Sequence, residues 1–362
     1  MAKSLAAVFS GVGMPWAFVE QPIPDLQTHE ILVKTLGCTV CGSDLHSIDG
    51  RRNVPTPSVL GHEIVGEIVA FGQGAPRFDA SGESLHLRDR IVWSVVASCG
   101  DCFYCRHELP QKCERGFKYG HQSCDANRTL SGGFSEYIVL APGTAVVRLP
   151  PELSLEAACP LSCATSTIAA AIRLLRVRSG DEVLVVGAGL LGLTSCAMAS
   201  DLGARRIVCV DMDANRAQRS RSFGAHHAYI PQQSDSSFRD QAQPHGFDIA
   251  IECTGSNQAT SMAFESLRIG GRLGLVGAVF PTPELPLAME RIVRRQLLVQ
   301  GIHNYAPEDL VAAVAFMARV HQRFPFAQLV GPSFPLTRID AAIDAARNPS
   351  HIRVCIRPDQ PG

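Results

Sequence analysis

The hexapeptide Gly187-Ala188-Gly189-Leu190-Leu191-Gly192 directly follows the apolar run Val183-Leu184-Val185-Val186, and few folds admit that arrangement. In a G-x-G-x-x-G turn between a buried strand and a helix, the first glycine makes the tight turn and the second lets backbone approach a pyrophosphate. The third packs helix against strand, and the helix N-terminus turns its N–H groups and partial positive charge to the phosphates. Glycine-rich turns are common, so the hexapeptide alone is weak evidence. Asp211 strengthens it: it closes the next strand, Ile207-Val208-Cys209-Val210, 19 residues beyond Gly192, where an acid accepts both ribose hydroxyls. A carboxylate there repels a 2′-phosphate and Met212 brings no positive replacement, although Arg216 is close in sequence. NAD is favoured over NADP. Val183 to Ser200 is an uncharged stretch of 18 residues, long enough for a membrane span, but a strand, turn and helix explain its glycines and a bilayer does not.

At roughly 100–200 residues per domain, 362 residues make about two domains with ample core. Up to residue 150, frequent Gly and Pro leave short β-branched runs: Ile31-Leu32-Val33-Lys34, 64–69, 90–93 and 137–140. Near residue 160 the texture changes. Apolar residues at helical spacing (Ala169, Ile172, Leu175) precede the strand at 183–186, and strands at 207–210, 247–251 and 272–276 follow, separated by helical stretches. Alternating strand and helix implies a parallel sheet covered on both faces. Around residue 304 a helix (Leu310 to Val320) and a last strand (Arg353 to Ile356) return to the first domain. The expected fold is α/β, with a β-rich domain over 1–164, a doubly wound domain over 165–303 and a return segment over 304–362. The polar segment 231–245 reads as a loop.

Thirteen cysteines are the unusual feature of the composition, and no secretory signal is expected with them. They read as thiols or metal ligands rather than a disulfide framework, and the chain is expected to be soluble and cytoplasmic. Cys99, Cys102, Cys105 and Cys113 lie close enough for four thiolates to close a tetrahedral structural zinc site, with no open position. Iron–sulfur ligation is the competing reading, and nothing else here points to an electron carrier. Cys41, His62 and Cys163 are dispersed, and taken singly each has an ordinary explanation as a core thiol or a satisfied histidine. A catalytic zinc uses such a set, three protein ligands and one open position. Cys38 and Cys41 also make a C-x-x-C, so a redox pair is conceivable. Lys and Arg total 33 against 34 Asp and Glu, so no net basic field draws the chain to nucleic acid or a membrane surface.

The chain resembles the zinc-dependent alcohol dehydrogenases of the medium-chain dehydrogenase/reductase superfamily over nearly its whole length. The motifs are Cys41-Gly42-Ser43-Asp44, Gly61-His62-Glu63-x-x-Gly66, the four-cysteine lobe (95–120), the Gly187 turn with Asp211, and Glu252-Cys253-Thr254-Gly255. The resemblance implies a GroES-like catalytic domain, a Rossmann domain, two zinc ions per chain and NAD. It implies that Cys41, His62 and Cys163 are the catalytic zinc ligands, and that Glu63 lies near the metal and can ligate it transiently. Ser43 would take the substrate proton and His46 would pass it to solvent. Thr167, Cys253 and Val276 would lie along the cofactor, with Leu190 and Leu191 in its turn, and Arg353 would reach the pyrophosphate. A homodimer or homotetramer is also implied. One departure is Arg88-Asp89, where the family has Gly-Asp, after a segment (75–88) that looks longer than usual.

More narrowly, Ser94 to Gly100, Leu109 to Cys113, Lys118-Tyr119-Gly120-His121 and Gly301 to Tyr305 resemble a phosphonate-catabolism-associated subgroup. Arg51-Arg52 falls where the family's loop lines the substrate cleft, and a guanidinium grips phosphonate or carboxylate bidentately. Lys118, His121 and His303 are further candidates, although each is also readable as an ordinary loop cation. The expected substrate is a small anionic hydroxy compound such as a hydroxyalkylphosphonate. The rivals are a polyol or amino-alcohol dehydrogenase related to threonine dehydrogenase and, from another class, a non-catalytic zinc and NAD-binding protein.

Overall fold

The computed structural model describes residues 3–124, 130–231 and 244–358, in two compact units. One comprises 1–166, 304–321 and 326–362; the other comprises 167–303 and 322–325. The polar segment 231–245 lies largely outside the described residues.

The first unit is built on a mixed sheet in the order Val146–Arg148, Arg90–Trp93, Glu63–Phe71, Ile31–Thr39, Arg353–Arg357, Val330–Pro335. Tyr137–Leu140 adds to Ile31–Thr39. The alternation of apolar residues drives one face of these strands into a core that includes Val33, Ile64, Ile68, Ile91, Trp93, Phe134, Ile138 and Val354, all at most 1% exposed. Cys38 is 0% exposed here, and burial pushes its thiol pKa well up, which fits a small apolar core residue and not a redox thiol.

The segment 75–88 is an ordered loop. The Asp79 carboxylate accepts from the Ser81, Glu83 and Arg148 backbone N–H groups at 2.8–2.9 Å. Arg88 takes φ 73, the left-handed conformation that the family's glycine adopts without strain, while its N–H donates to the Ile68 carbonyl.

The second unit holds a six-stranded, all-parallel sheet in the order His227–Tyr229, Arg206–Val210, Glu182–Val186, Phe247–Glu252, Leu267–Leu275, Leu298–Gly301. Counted within the unit this is 3-2-1-4-5-6, the doubly wound dinucleotide-binding order. The central strands are apolar on both faces, with Val183, Leu184, Val185, Ile249, Ala250 and Ile251 fully buried. The outer strands, His227–Tyr229 and Leu298–Gly301, gave no sequence signal because they are short and half polar. The uncharged stretch 183–200 is a strand, a turn and the helix Leu190–Asp201. Among the described residues no single helix is long and apolar enough to cross a membrane.

Candidate active site and metal centres

Strand register brings the first ligands together. Ile31–Thr39 and Glu63–Phe71 are antiparallel with Thr39 opposite Glu63, so Cys41 and His62, just beyond those ends, become neighbours. The helix Gly42–Ile48 starts at once after Cys41, whose N–H donates to the Asp44 carboxylate at 2.9 Å. Cys163 arrives from a distant segment that is clamped on the same strand. Ser162 Oγ donates to the His62 carbonyl and accepts from the Ile64 N–H, both at 3.1 Å. The Tyr305 hydroxyl donates to the Ser162 carbonyl and accepts from the Val95 N–H.

The ligand atoms of Cys41, His62 and Cys163 all lie within 4.8 Å of one another. Asp44 Oδ1 lies 3.1 Å from His62 Nδ1, with both residues buried, which leaves Nε2 for a metal. Ser43 Oγ is 3.2 Å from that Nε2. Burial disfavours charge on His62, but the Asp44 carboxylate outweighs it and pushes the pKa up to about 10. The neighbouring Cys163 thiol holds Cys41 well below the usual thiol range despite burial, the Arg353 charge adds to the effect, and Cys163 is itself pushed up. A thiolate, an oriented imidazole and a second thiol form a zinc donor set with one position open. The residues therefore fit a catalytic zinc. His46 lies half-buried in the last turn of the same helix, its pKa lowered by burial and by the Arg51 charge.

Glu63 and Arg353 pair with each other beside the ligand residues. Both Glu63 oxygens accept from Arg353, at 2.7 and 2.9 Å, and Thr39 Oγ1 donates to Glu63 Oε2 at 2.6 Å. Arg353 also donates to Cys41 Sγ at 3.5 Å. The carboxylate is thus turned to the guanidinium and is not in the ligand cluster. Asp44 stands three residues after Cys41, the spacing of a carboxylate at a helix start, and this spacing is the sequence signal for its place behind His62.

Arg51 is exposed and held at 2.9 Å by Asp49, which Arg347 shares. Arg52 is half-buried and Lys118 likewise. The His121 ring lies 4.9 Å from the His62 ring. His303 belongs to the second unit.

The sulfurs of Cys99, Cys102, Cys105 and Cys113 also lie within 4.8 Å of one another, with separations of 3.4–4.0 Å between contacting pairs. Sulfurs on a tetrahedral zinc with bonds of about 2.3 Å stand about 3.8 Å apart. Backbone N–H groups of Cys105 and Glu114 lower the Cys102 pKa to about 6, favouring the thiolate that zinc needs. This set fits a closed structural site.

In the second unit, Gly187 has φ 98, and a Cβ on Gly192 would stand 1.7 Å from the Gly187 carbonyl oxygen. A Cβ on Gly189 would meet nothing within 4 Å, so the backbone there is open to a ligand at the N-terminus of the 12-residue helix Leu190–Asp201. Asp211 accepts from the Ala188 N–H at 2.6 Å and the Asp213 N–H at 2.9 Å, which places its carboxylate beside the glycine turn. Buried Glu252 accepts from the Thr254 and Gly255 N–H groups and fixes the Cys253 turn. The Cys253 N–H donates to the Val186 carbonyl and the Val276 N–H to the Glu252 carbonyl, so Cys253 stands at the carboxyl end of a strand flanking the switch point and Val276 at that of the next strand. Thr167 opens the second unit within the helix Ala164–Leu174. Arg216 lies one turn into the helix that Asp213 caps. These residues fit a dinucleotide.

Comparison with known proteins agrees with this geometry. Residues 27–151 match the alcohol dehydrogenase GroES-like domain and residues 191–319 the zinc-binding dehydrogenase domain. L-threonine 3-dehydrogenase of Francisella tularensis is 29% identical over 316 residues, covering 83% of this chain and 84% of the relative. The enzyme of that name from Pectobacterium carotovorum is 27% identical over 99% of both chains. Among solved structures, an alcohol dehydrogenase from Thermotoga maritima superposes with a TM-score of 0.91 at 28% identity, covering 99% of this chain and all of the other. One from a Thermus species reaches 0.85 at 29%, covering 98% and 99%. Fold and site together define a zinc- and nicotinamide-dinucleotide-dependent oxidoreductase. The chain belongs to the zinc-dependent alcohol dehydrogenases of the medium-chain dehydrogenase/reductase family.

Proposed function

We propose that this enzyme oxidises a small hydroxy compound bearing an anionic group, with a hydroxyalkylphosphonate as the type substrate, and uses NAD in preference to NADP. The carrying observation is the buried cluster of Cys41, His62 and Cys163, with Asp44 behind His62 and the Ser43 hydroxyl in front. Zinc there supplies Lewis acidity toward an alcohol oxygen, and NAD supplies the hydride acceptor. Asp44 fixes the His62 ring, and the Arg353 charge favours the Cys41 thiolate. Ser43 takes the hydroxyl proton and His46 passes it to solvent. The helix N-terminus at Leu190 with Gly189 holds the pyrophosphate, and Asp211 holds the ribose hydroxyls.

The narrower sequence resemblance to the phosphonate-associated subgroup supports the anionic substrate. An amino-alcohol substrate is the second reading, favoured by the relatives named L-threonine 3-dehydrogenase. Two cysteine clusters arranged as metal ligands support a reducing compartment such as the cytoplasm, where thiols stay available to bind metal. Among the described residues Leu298–Gly301 is the outermost strand of the parallel sheet, an edge open to a second copy, which supports a homo-oligomer.

The test is NADH formation across neutral, cationic, carboxylated and phosphonylated alcohols, with zinc content measured on the same sample. Turnover of anionic alcohols is expected; NADH from none of the alcohols would overturn the reading.

A further inference from the structure

The chain segment that carries Lys118 is built against the metal cluster. Phe117–Lys118 pairs with Val96–Ala97, and the chain then turns so that the His121 N–H donates to the Lys118 carbonyl at 3.2 Å. The turn packs tightly on the ligand segment: a Cβ on Gly120 would stand 2.4 Å from the Gly61 carbonyl oxygen and 3.2 Å from the His62 Cβ. His121 thereby lays its ring 4.9 Å from His62, and its Nδ1 is 2.8 Å from the Tyr119 carbonyl. A ring nitrogen facing a carbonyl is a donor, so Nε2 of the neutral ring is an acceptor. From the other side the helix of Ser43 and His46 ends, and the Arg52 N–H donates to the His46 carbonyl at 3.0 Å.

The charges facing Lys118 are Arg52, Lys112 and the Cys163 sulfur, and no carboxylate is among them. Among the described residues neither Arg52 nor Lys118 makes a salt bridge, although both are half-buried. Arg51 shows the contrast, exposed and neutralised by Asp49. Removing a cation from water without a counter-charge is unfavourable, and burial with the Arg52 charge lowers the Lys118 pKa to about 8. Such an arrangement is relieved when an anion arrives. With a divalent ion on the two thiolates, the negative charge at Cys163 that faces Lys118 would be offset, and Arg52 and Lys118 would be left as surplus positive charge.

We propose that Arg52 and Lys118 form a cationic subsite that holds the anionic group of the substrate, a phosphonate or carboxylate a few bonds from the reacting carbinol. The same charge turns away alcohols that bear an ammonium and no anionic group, whereas in a zwitterionic amino alcohol such as threonine the carboxylate attracts and the ammonium opposes. Arg52 offers a planar fork that matches either oxyanion, and Lys118 offers a point charge. This subsite rests on the zinc dehydrogenase reading, and it favours alcohols with a net anionic charge over neutral and cationic ones.

Two measurements on the zinc-loaded full chain test it. Calorimetric titration with methylphosphonate and with acetate reads binding without turnover, and the tighter of the two names the anion. Hydrogen bonds to a charged group are worth enough that Arg52→Gln and Lys118→Gln should each weaken the tighter probe by about tenfold or more. Arg52→Lys should recover part of the loss, and Arg51→Gln should stay within about twofold of wild type. In kinetics, Arg52→Gln should lower the ratio of kcat/KM for an anionic alcohol over a neutral one by about tenfold, chiefly through KM. If neither probe binds, or the ratio is unmoved while NADH still forms, the subsite is wrong. Probe binding that is lost in Arg52→Gln without NADH from any alcohol keeps the subsite and rejects the dehydrogenase reading.

Discussion

Arg353 and Glu63 face each other in a two-pronged ion pair, Nε to Oε2 at 2.7 Å and Nη2 to Oε1 at 2.9 Å, across 290 residues of sequence. The carboxylate is 0% exposed and the arginine side chain 11%. One strand register explains the meeting: Arg353–Arg357 and Glu63–Phe71 both pair with Ile31–Thr39.

Removing one partner strands the other charge in the interior. Arg353→Met or Glu63→Leu alone should therefore cost about 3–5 kcal/mol of stability, and the double substitution distinctly less than their sum. Denaturant midpoints of the four proteins measure this. Additive losses would show that the pair is not coupled.

Metal analysis should separate the two cysteine sets. Cys163→Ser should keep one zinc per chain and lose turnover. Cys99→Ser should also lose one zinc, but its first effect should be a lowered unfolding temperature. Asp44→Asn should keep both ions at saturating zinc while weakening the catalytic one about 10–100-fold in chelator competition, because His62 loses its orienting carboxylate.

Asp211 decides cofactor choice through its carboxylate. Asp211→Asn should raise the KM for NAD by about tenfold, the scale of a lost charged hydrogen bond, and lower that for NADP by removing repulsion. An unchanged ratio of the two kcat/KM values would show that the residue does not contact the ribose.

Arg88 holds φ 73 with a Cβ present. Arg88→Gly should stabilise the protein by about 1 kcal/mol, less the entropy that glycine gains in the unfolded chain, and raise the melting temperature by a degree or two. A lowered melting temperature would mean that the Arg88 side chain contributes more than its backbone costs.

Leu298 begins the outermost strand of the parallel sheet and is 44% exposed, and Val293 on the preceding helix is 69% exposed. Leu298→Lys should move the chain toward monomer in light scattering, since a charge on an edge strand opposes strand pairing between copies. A mass unchanged from an oligomeric wild type would place the interface elsewhere.

The sequence by itself determined the local chemistry. Short-range spacing set the glycine turn with Asp211, and Gly192 could be nothing larger because its Cβ would collide with Gly187. Spacing within one short segment likewise set the four-cysteine lobe, and apolar runs marked the inner strands of both sheets. The tertiary structure decided which distant groups became partners. Arg51 and Arg52 are equivalent as neighbours in sequence, yet only Arg51 meets Asp49. Arg353 was legible as a functional cation, but its engagement with Glu63 depends on a strand register between chain ends. Pairing of charges is set by Coulomb energy and desolvation at a few ångströms, and separation along the chain carries no information about either.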